Sequence, residues 1–134
     1  FVDQIERQAT HDPAAYLTVP AAIDYQTAHE WSAVRKECHA LARLARDGMA
    51  ELSGVLPLTT DDPRWFSQMA TLPLPPCNTA ALKEQLYADY RIEIPVTQWG
   101  SVPCLRVSVQ GYNTRADIQR LLDAMAALIP KVRL

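Results

Sequence analysis

The sequence predicts an α+β domain: a three-stranded, mainly antiparallel sheet with helices packed on one face and a mostly polar opposite face. Two observations carry this. Pro103 to Gln110 alternates, with Leu105, Val107 and Val109 pointing one way and Cys104, Arg106, Ser108 and Gln110 the other, which is the period of a half-buried strand. After "GYN", Thr114 is an N-cap with Asp117 three residues on in the position of a capping box. Ile118, Leu121, Leu122, Met125, Leu128 and Ile129 then recur at helical spacing, so an amphipathic helix spans about Arg115 to Ile129 and can cover the strand's aliphatic side.

The remaining elements follow in chain order. "FVDQIERQAT" alternates weakly and reads as the end of a strand or an arm. Asp12 and Pro13 open a helix to about Tyr25 that is apolar on nearly every side, the mark of a buried helix, with a kink near Tyr16 to Pro20 where Pro20 removes a ladder donor. Thr27 with Glu30 suggests a second capping box, opening the longest helix, about Ala28 to Leu52, which Ser53-Gly54 ends. "VLPLTTDDPRWFSQ" is a loop turning at Asp61-Asp62-Pro63, with a short helical turn near Arg64 to Phe66. In "QMATLPLPP", Ala70, Leu72 and Leu74 share one face of a strand whose prolines suit a sheet edge. Asn78 caps a helix over about Thr79 to Tyr90. "RIEIPV" alternates with Ile92, Ile94 and Val96 inward, and "TQWGS" turns it into the Leu105 strand as a hairpin.

Composition bounds what such a domain can do. At 134 residues the chain is one domain by length, able to bury roughly two thirds of its unfolded surface. A net charge of -2 gives no reason to expect nucleic acid or an anionic membrane as partner. Cys38, Cys77 and Cys104 are an odd number without a C-x-x-C pair, so a reducing, cytoplasmic setting is expected. The chain opens at Phe1 without an initiator methionine, and a piece of a longer protein is expected.

Chemistry-bearing residues are sparse. His29 and His39 lie about 15 Å apart along a helix, too far to share a metal ion, and with His11 they are expected at the surface or in caps. The cysteines are expected to be buried bystanders, and Trp31 and Tyr87 core or interface anchors. No glycine-rich phosphate loop, carboxylate pair or Ser/His/Asp order is present, so no catalytic residue and no metal ligand is assigned. Arg106 is either a solvated residue or a carboxylate fork, a planar guanidinium on a rigid strand.

"LRVSVQGYNTRADIQRLLDAM", preceded by "YRIEIPV" and "QMATLPLP", resembles the C-terminal small domain of class V aminotransferase-like, pyridoxal-phosphate-dependent enzymes of fold type I. The opening "DQIERQATHDPAAYLTVPAAIDY" resembles the segment leading into that domain, and the whole is most similar to isopenicillin N epimerase-like proteins. The resemblance implies that residues 1–12 are a lead-in from a large domain and that the chain works in a homodimer on an amino-acid substrate. It implies that Arg106 binds the substrate carboxylate and that Thr10 contacts the cofactor phosphate, although Ala9 and His11 replace the family's glycine and basic residue. Lys36, Lys83 and Lys131 do not match the family's catalytic lysine, which belongs to the large domain; the chain alone is expected to hold no cofactor and to be inactive. Cys104 is too close to Arg106 to be the mobile-loop cysteine of the desulfurase branch. The alternative is a free-standing ligand-binding or protein-interaction module using the open sheet face.

Overall fold

Residues 12–133 are described by the structure, a computed structural model. The chain divides into two compact units, residues 1–32 and 33–134.

Within the first unit, Asp12 Oδ1 accepts the Ala14 N–H at 2.9 Å and opens α1, Ala14–Leu17, followed after Thr18 by α2, Val19–Ala28. The interruption lies where Pro20 predicts a kink; the Thr18 hydroxyl donates to the Ala15 carbonyl there. Burial does not follow the sequence expectation: Tyr16, Leu17, Val19, Ile23 and Tyr25 are all exposed. A helix that is apolar on every side is enclosed only where neighbours cover all of it, which composition does not report. Thr27 forms no capping box, because it lies inside α2 and its hydroxyl donates to the Ile23 carbonyl. The next helix, α3, therefore starts later than expected and spans Trp31–Ser53, after Glu30 takes a left-handed φ of 47°. The Ser53-Gly54 signal at its end holds as read: Gly54, at φ 71°, closes it with its N–H on the Ala50 carbonyl.

The second unit is built on a sheet of order β1-β3-β2, with β1 Met69–Pro73, β2 Val96–Trp99 and β3 Val102–Ser108. Both pairings are antiparallel. β1 is an edge, where its proline is tolerated. β2 begins where "RIEIPV" was expected to end: Pro95 cannot donate, but its carbonyl accepts the Arg106 N–H at 3.0 Å, and the ladder then runs on to Trp99↔Val102. The hairpin closes through Gly100 and Ser101, Gly100 supplying φ 59°.

Helix α5, Arg115–Val132, covers the aliphatic side of this sheet. Its capping box forms as the sequence predicts, with Thr114 Oγ1 accepting the Asp117 N–H at 3.3 Å and Asp117 Oδ2 accepting the Thr114 N–H at 2.8 Å. Leu105, Val107, Val109, Leu72, Ile118, Met125 and Leu128 share one core with Met49 of α3. Helix α4, Thr79–Tyr90, joins it through Leu82 and Leu86, capped by Asn78 Oδ1 on the Ala81 N–H at 3.1 Å. At the other end of α4, the Tyr90 carbonyl accepts from the Arg120 guanidinium at 2.6 Å. α3 approaches α5 closely at Gly48, where an added Cβ would stand 2.6 Å from Leu122 Cδ1.

The loop 55–68 is tied back to α3. Arg46 donates to the Thr59 carbonyl at 2.8 Å and to Asp47 at 2.6 Å, and its guanidinium carbon stands 5.7 Å from the centre of the Phe66 ring. His39 meets Phe66 at 4.9 Å between ring centroids and its Nδ1 donates to the Ser67 carbonyl at 2.9 Å. Arg43 pairs with Asp61, and Trp65 N–H closes the turn on the Asp62 carbonyl at 2.9 Å.

Two tests follow from these contacts. Arg46→Ala should cost roughly 1.5–3 kcal/mol, the range for hydrogen bonds from a charged donor, and should raise hydrogen exchange in loop 55–68 before it affects β3. Thr114→Ala should cost about 1 kcal/mol in thermal or denaturant unfolding. The Thr114 N–H and hydroxyl hold the Asp117 carboxyl below its ordinary value of 3.8, so this contribution is present above that value and is lost as pH falls through the lowered one. Asp117→Asn should accordingly flatten the acid limb of an unfolding titration followed by circular dichroism.

Candidate functional site

The open side of the sheet carries the residues that the core does not use. Because Leu105 and Val107 are 0% and 4% exposed, the alternation of β3 places Arg106 on the opposite face, where it is exposed. Its Cα faces Thr71 of β1 across the ladder. None of the ion pairs found among the described residues uses Arg106; they join Arg43 to Asp61, Arg46 to Asp47 and Arg64 to Asp62.

Arg106 lines a cleft of about 600 Å³, within the size range of small-molecule sites. The sheet provides its floor with Thr71, Thr97 and Cys104; Leu58, Trp65 and Phe66 of loop 55–68 form one wall, Met69 and Trp99 extend the apolar lining, and Arg46 adds a second guanidinium. Among the described residues, the lining contains no Asp, Glu, Lys or His. Two arginines are therefore its ionised groups, in a chain whose net charge is -2, and the cleft suits an anion. This corrects the expectation of a mostly polar open face: Cys104 is buried there at 1% exposure, and the indoles of Trp65 and Trp99 are 66% and 72% exposed.

The other residues singled out in the sequence lie elsewhere. Thr10, with Ala9 and His11, falls outside the described residues. His29 stacks on Tyr25 at 3.9 Å, and no group of His, Cys, Asp and Glu among the described residues could hold a metal ion. Burial pushes the Cys77 and Cys104 thiols up, so both remain protonated at neutral pH and are poor nucleophiles. Cys104 donates weakly to the Val102 carbonyl at 3.6 Å. Tyr87 is exposed rather than core and lines a smaller depression with Lys83 and Glu84. Lys36 and Lys131 are exposed and stand outside the cleft. The aromatic wall was missed in the sequence; its signal was "PRWF", where a turn needs the proline but neither ring.

No helix among the described residues is long and apolar enough to cross a membrane. No protein-family profile matches the chain. It is 34% identical over 125 residues to isopenicillin N epimerase of Amycolatopsis lactamdurans, covering 92% of this chain and 31% of that protein. It is 35% identical over 126 residues to isopenicillin N epimerase of Streptomyces clavuligerus, covering 93% and 32%. The chain thus spans about a third of the length of the curated relatives it matches. Among solved structures, the Escherichia coli cysteine desulfurase CsdA superposes with a TM-score of 0.73 at 21% identity, over 94% of this chain and 33% of that one. The 8-amino-7-oxononanoate synthase of Francisella tularensis superposes with a TM-score of 0.63 at 17% identity, over 83% and 32%. The architecture is one found within fold type I pyridoxal-phosphate enzymes, and over nearly its whole length the chain is similar to about a third of the length of the proteins named isopenicillin N epimerase.

Proposed function

We propose that this chain is the C-terminal small domain of a pyridoxal-phosphate-dependent enzyme that epimerises or transaminates an amino acid, and that Arg106 binds the substrate carboxylate. The observation that carries the reading is the placement of Arg106: a guanidinium on the central strand, without an ion-pair partner among the described residues, facing a cleft that contains no carboxylate. A fork of two N–H donors suits a carboxylate better than a point charge does. The kinship with proteins named isopenicillin N epimerase supports the reaction class.

In this reading the remaining two thirds of such a protein supply the catalytic lysine and the groups around the pyridine ring, residues 1–12 lead in from that large domain, and Thr10 contacts the cofactor phosphate. A second subunit completes a homodimer, and the enzyme works in the cytoplasm, as the three unpaired cysteines suggest. This chain's own part is to hold the substrate's carboxylate and to keep water from one side of it. In a cleft closed by the large domain, that ion pair would contribute more than at an open surface.

The test uses the complete protein loaded with cofactor. Arg106→Ala should weaken amino-acid binding, read from the substrate dependence of the cofactor's absorption, by on the order of 2–5 kcal/mol, the range for losing one side of a desolvated charge pair. Thermal stability should hardly change, and Arg106→Lys should restore only part of the loss. Wild-type affinity and kcat/KM in the Ala variant would remove Arg106 from the site.

A further inference from the structure

We infer that the amino acid held at Arg106 carries a large apolar side chain, aromatic or branched aliphatic, and that Trp65, Trp99, Met69 and Leu58 receive it. The inference rests on the reading of Arg106 as carboxylate anchor and adds the class of side chain.

The four residues line the same cleft as Arg106, yet they do little for the fold: Trp65 is 66% exposed, Trp99 72%, Met69 51% and Leu58 46%. Large side chains left open around a charged anchor are what a site for an apolar group looks like before it is filled. A volume of about 600 Å³ also exceeds what the carboxylate and amine of an amino acid need.

The polar lining argues against the other side-chain classes. An acidic side chain would need a second cation, and the cleft's other guanidinium is already engaged. Arg46 donates through its terminal nitrogens to Asp47 and to the Thr59 carbonyl, lies beside Phe66 and is 11% exposed; its Nε has no hydrogen-bond partner but is closed off from solvent. A basic side chain would need a carboxylate, and none lines the cleft. Thr71 and Thr97 bring hydroxyls to the sheet floor, close to the anchor's own strand, and Thr59 brings the one hydroxyl of loop 55–68 that lines the cleft, beside the larger apolar surface of Leu58, Trp65 and Phe66.

Calorimetric titration of the complete, cofactor-loaded protein with three unreactive carboxylates tests this: propionate, 3-phenylpropionate and glutarate. 3-Phenylpropionate should bind at least about tenfold tighter than propionate, a modest return for burying a phenyl ring, and glutarate no tighter than propionate. Trp65→Ala with Trp99→Ala should shrink the phenyl advantage to about threefold or less, whereas Trp65→Phe with Trp99→Phe should keep most of it. Arg106→Ala should weaken all three ligands by a similar factor and leave the advantage in place. Equal affinities for propionate and 3-phenylpropionate, with Arg106→Ala weakening both, would overturn the apolar pocket and leave the anchor standing. Affinities untouched by Arg106→Ala would overturn the anchor and, with it, the assignment of the pocket to an amino-acid side chain. If the Trp→Ala pair instead splits the assembly and leaves the phenyl advantage intact, the indoles are a subunit contact and the proposal is wrong.

Discussion

The burial of Leu105, Val107 and Val109 beneath α5 is the constraint on which the rest of the second unit depends. A strand's side chains alternate, so fixing these three in the core fixes the phase of every neighbour. A slip of one residue would put Arg106 into the core without a partner and Leu105 into water, and a buried lone charge is far more costly than an exposed leucine. The ladders to β1 and β2 on either side then hold the backbone at Arg106 rigidly. The direction of the guanidinium is thus a consequence of hydrophobic packing on the other side of the sheet.

The cleft needs a second device, because a flat sheet face holds nothing. Loop 55–68 supplies the wall, and it is held by polar ties more than by burial: Arg46 to the Thr59 carbonyl, His39 to the Ser67 carbonyl, with Phe66 between the two side chains. Arg46 therefore has a positioning role, shaping the cleft from α3 while Arg106 waits on β3. The two arginines of the cleft differ in their ties: Arg46 donates to the protein through its terminal nitrogens, its Nε left without a partner, whereas Arg106 has no ion-pair partner among the described residues.

Much of this was legible in the sequence because the signals were local. The Thr114 box, the Asn78 cap, the Gly54 stop and the alternation around Leu105 each depend on a few residues, and each appears as read. The misreadings share a cause, which is that tertiary context decided them. Thr27 and Glu30 have capping-box spacing, but α2 continues through Thr27. "RIEIPV" alternates, but Pro95 delays the pairing and moves the strand to Val96–Trp99. The helical stretch after Pro13 looked buried from composition alone, yet its large apolar side chains are exposed. The aromatic wall was missed because a loop has no periodicity from which to infer a direction, which left the two rings of "PRWF" unassigned.

Trp99 occupies the last position of β2, paired with Val102 of β3 across a two-residue turn, whereas Arg106 lies further along β3, opposite Thr71. Anchor and indole are therefore mounted on one rigid ladder but governed by different parts of it, the first by the core and the second by the hairpin tip. Under the proposed reading, lengthening or reshaping that tip would alter which side chains the cleft accepts without disturbing the grip on a carboxylate, so selectivity and capture would be tuned independently within a single hairpin.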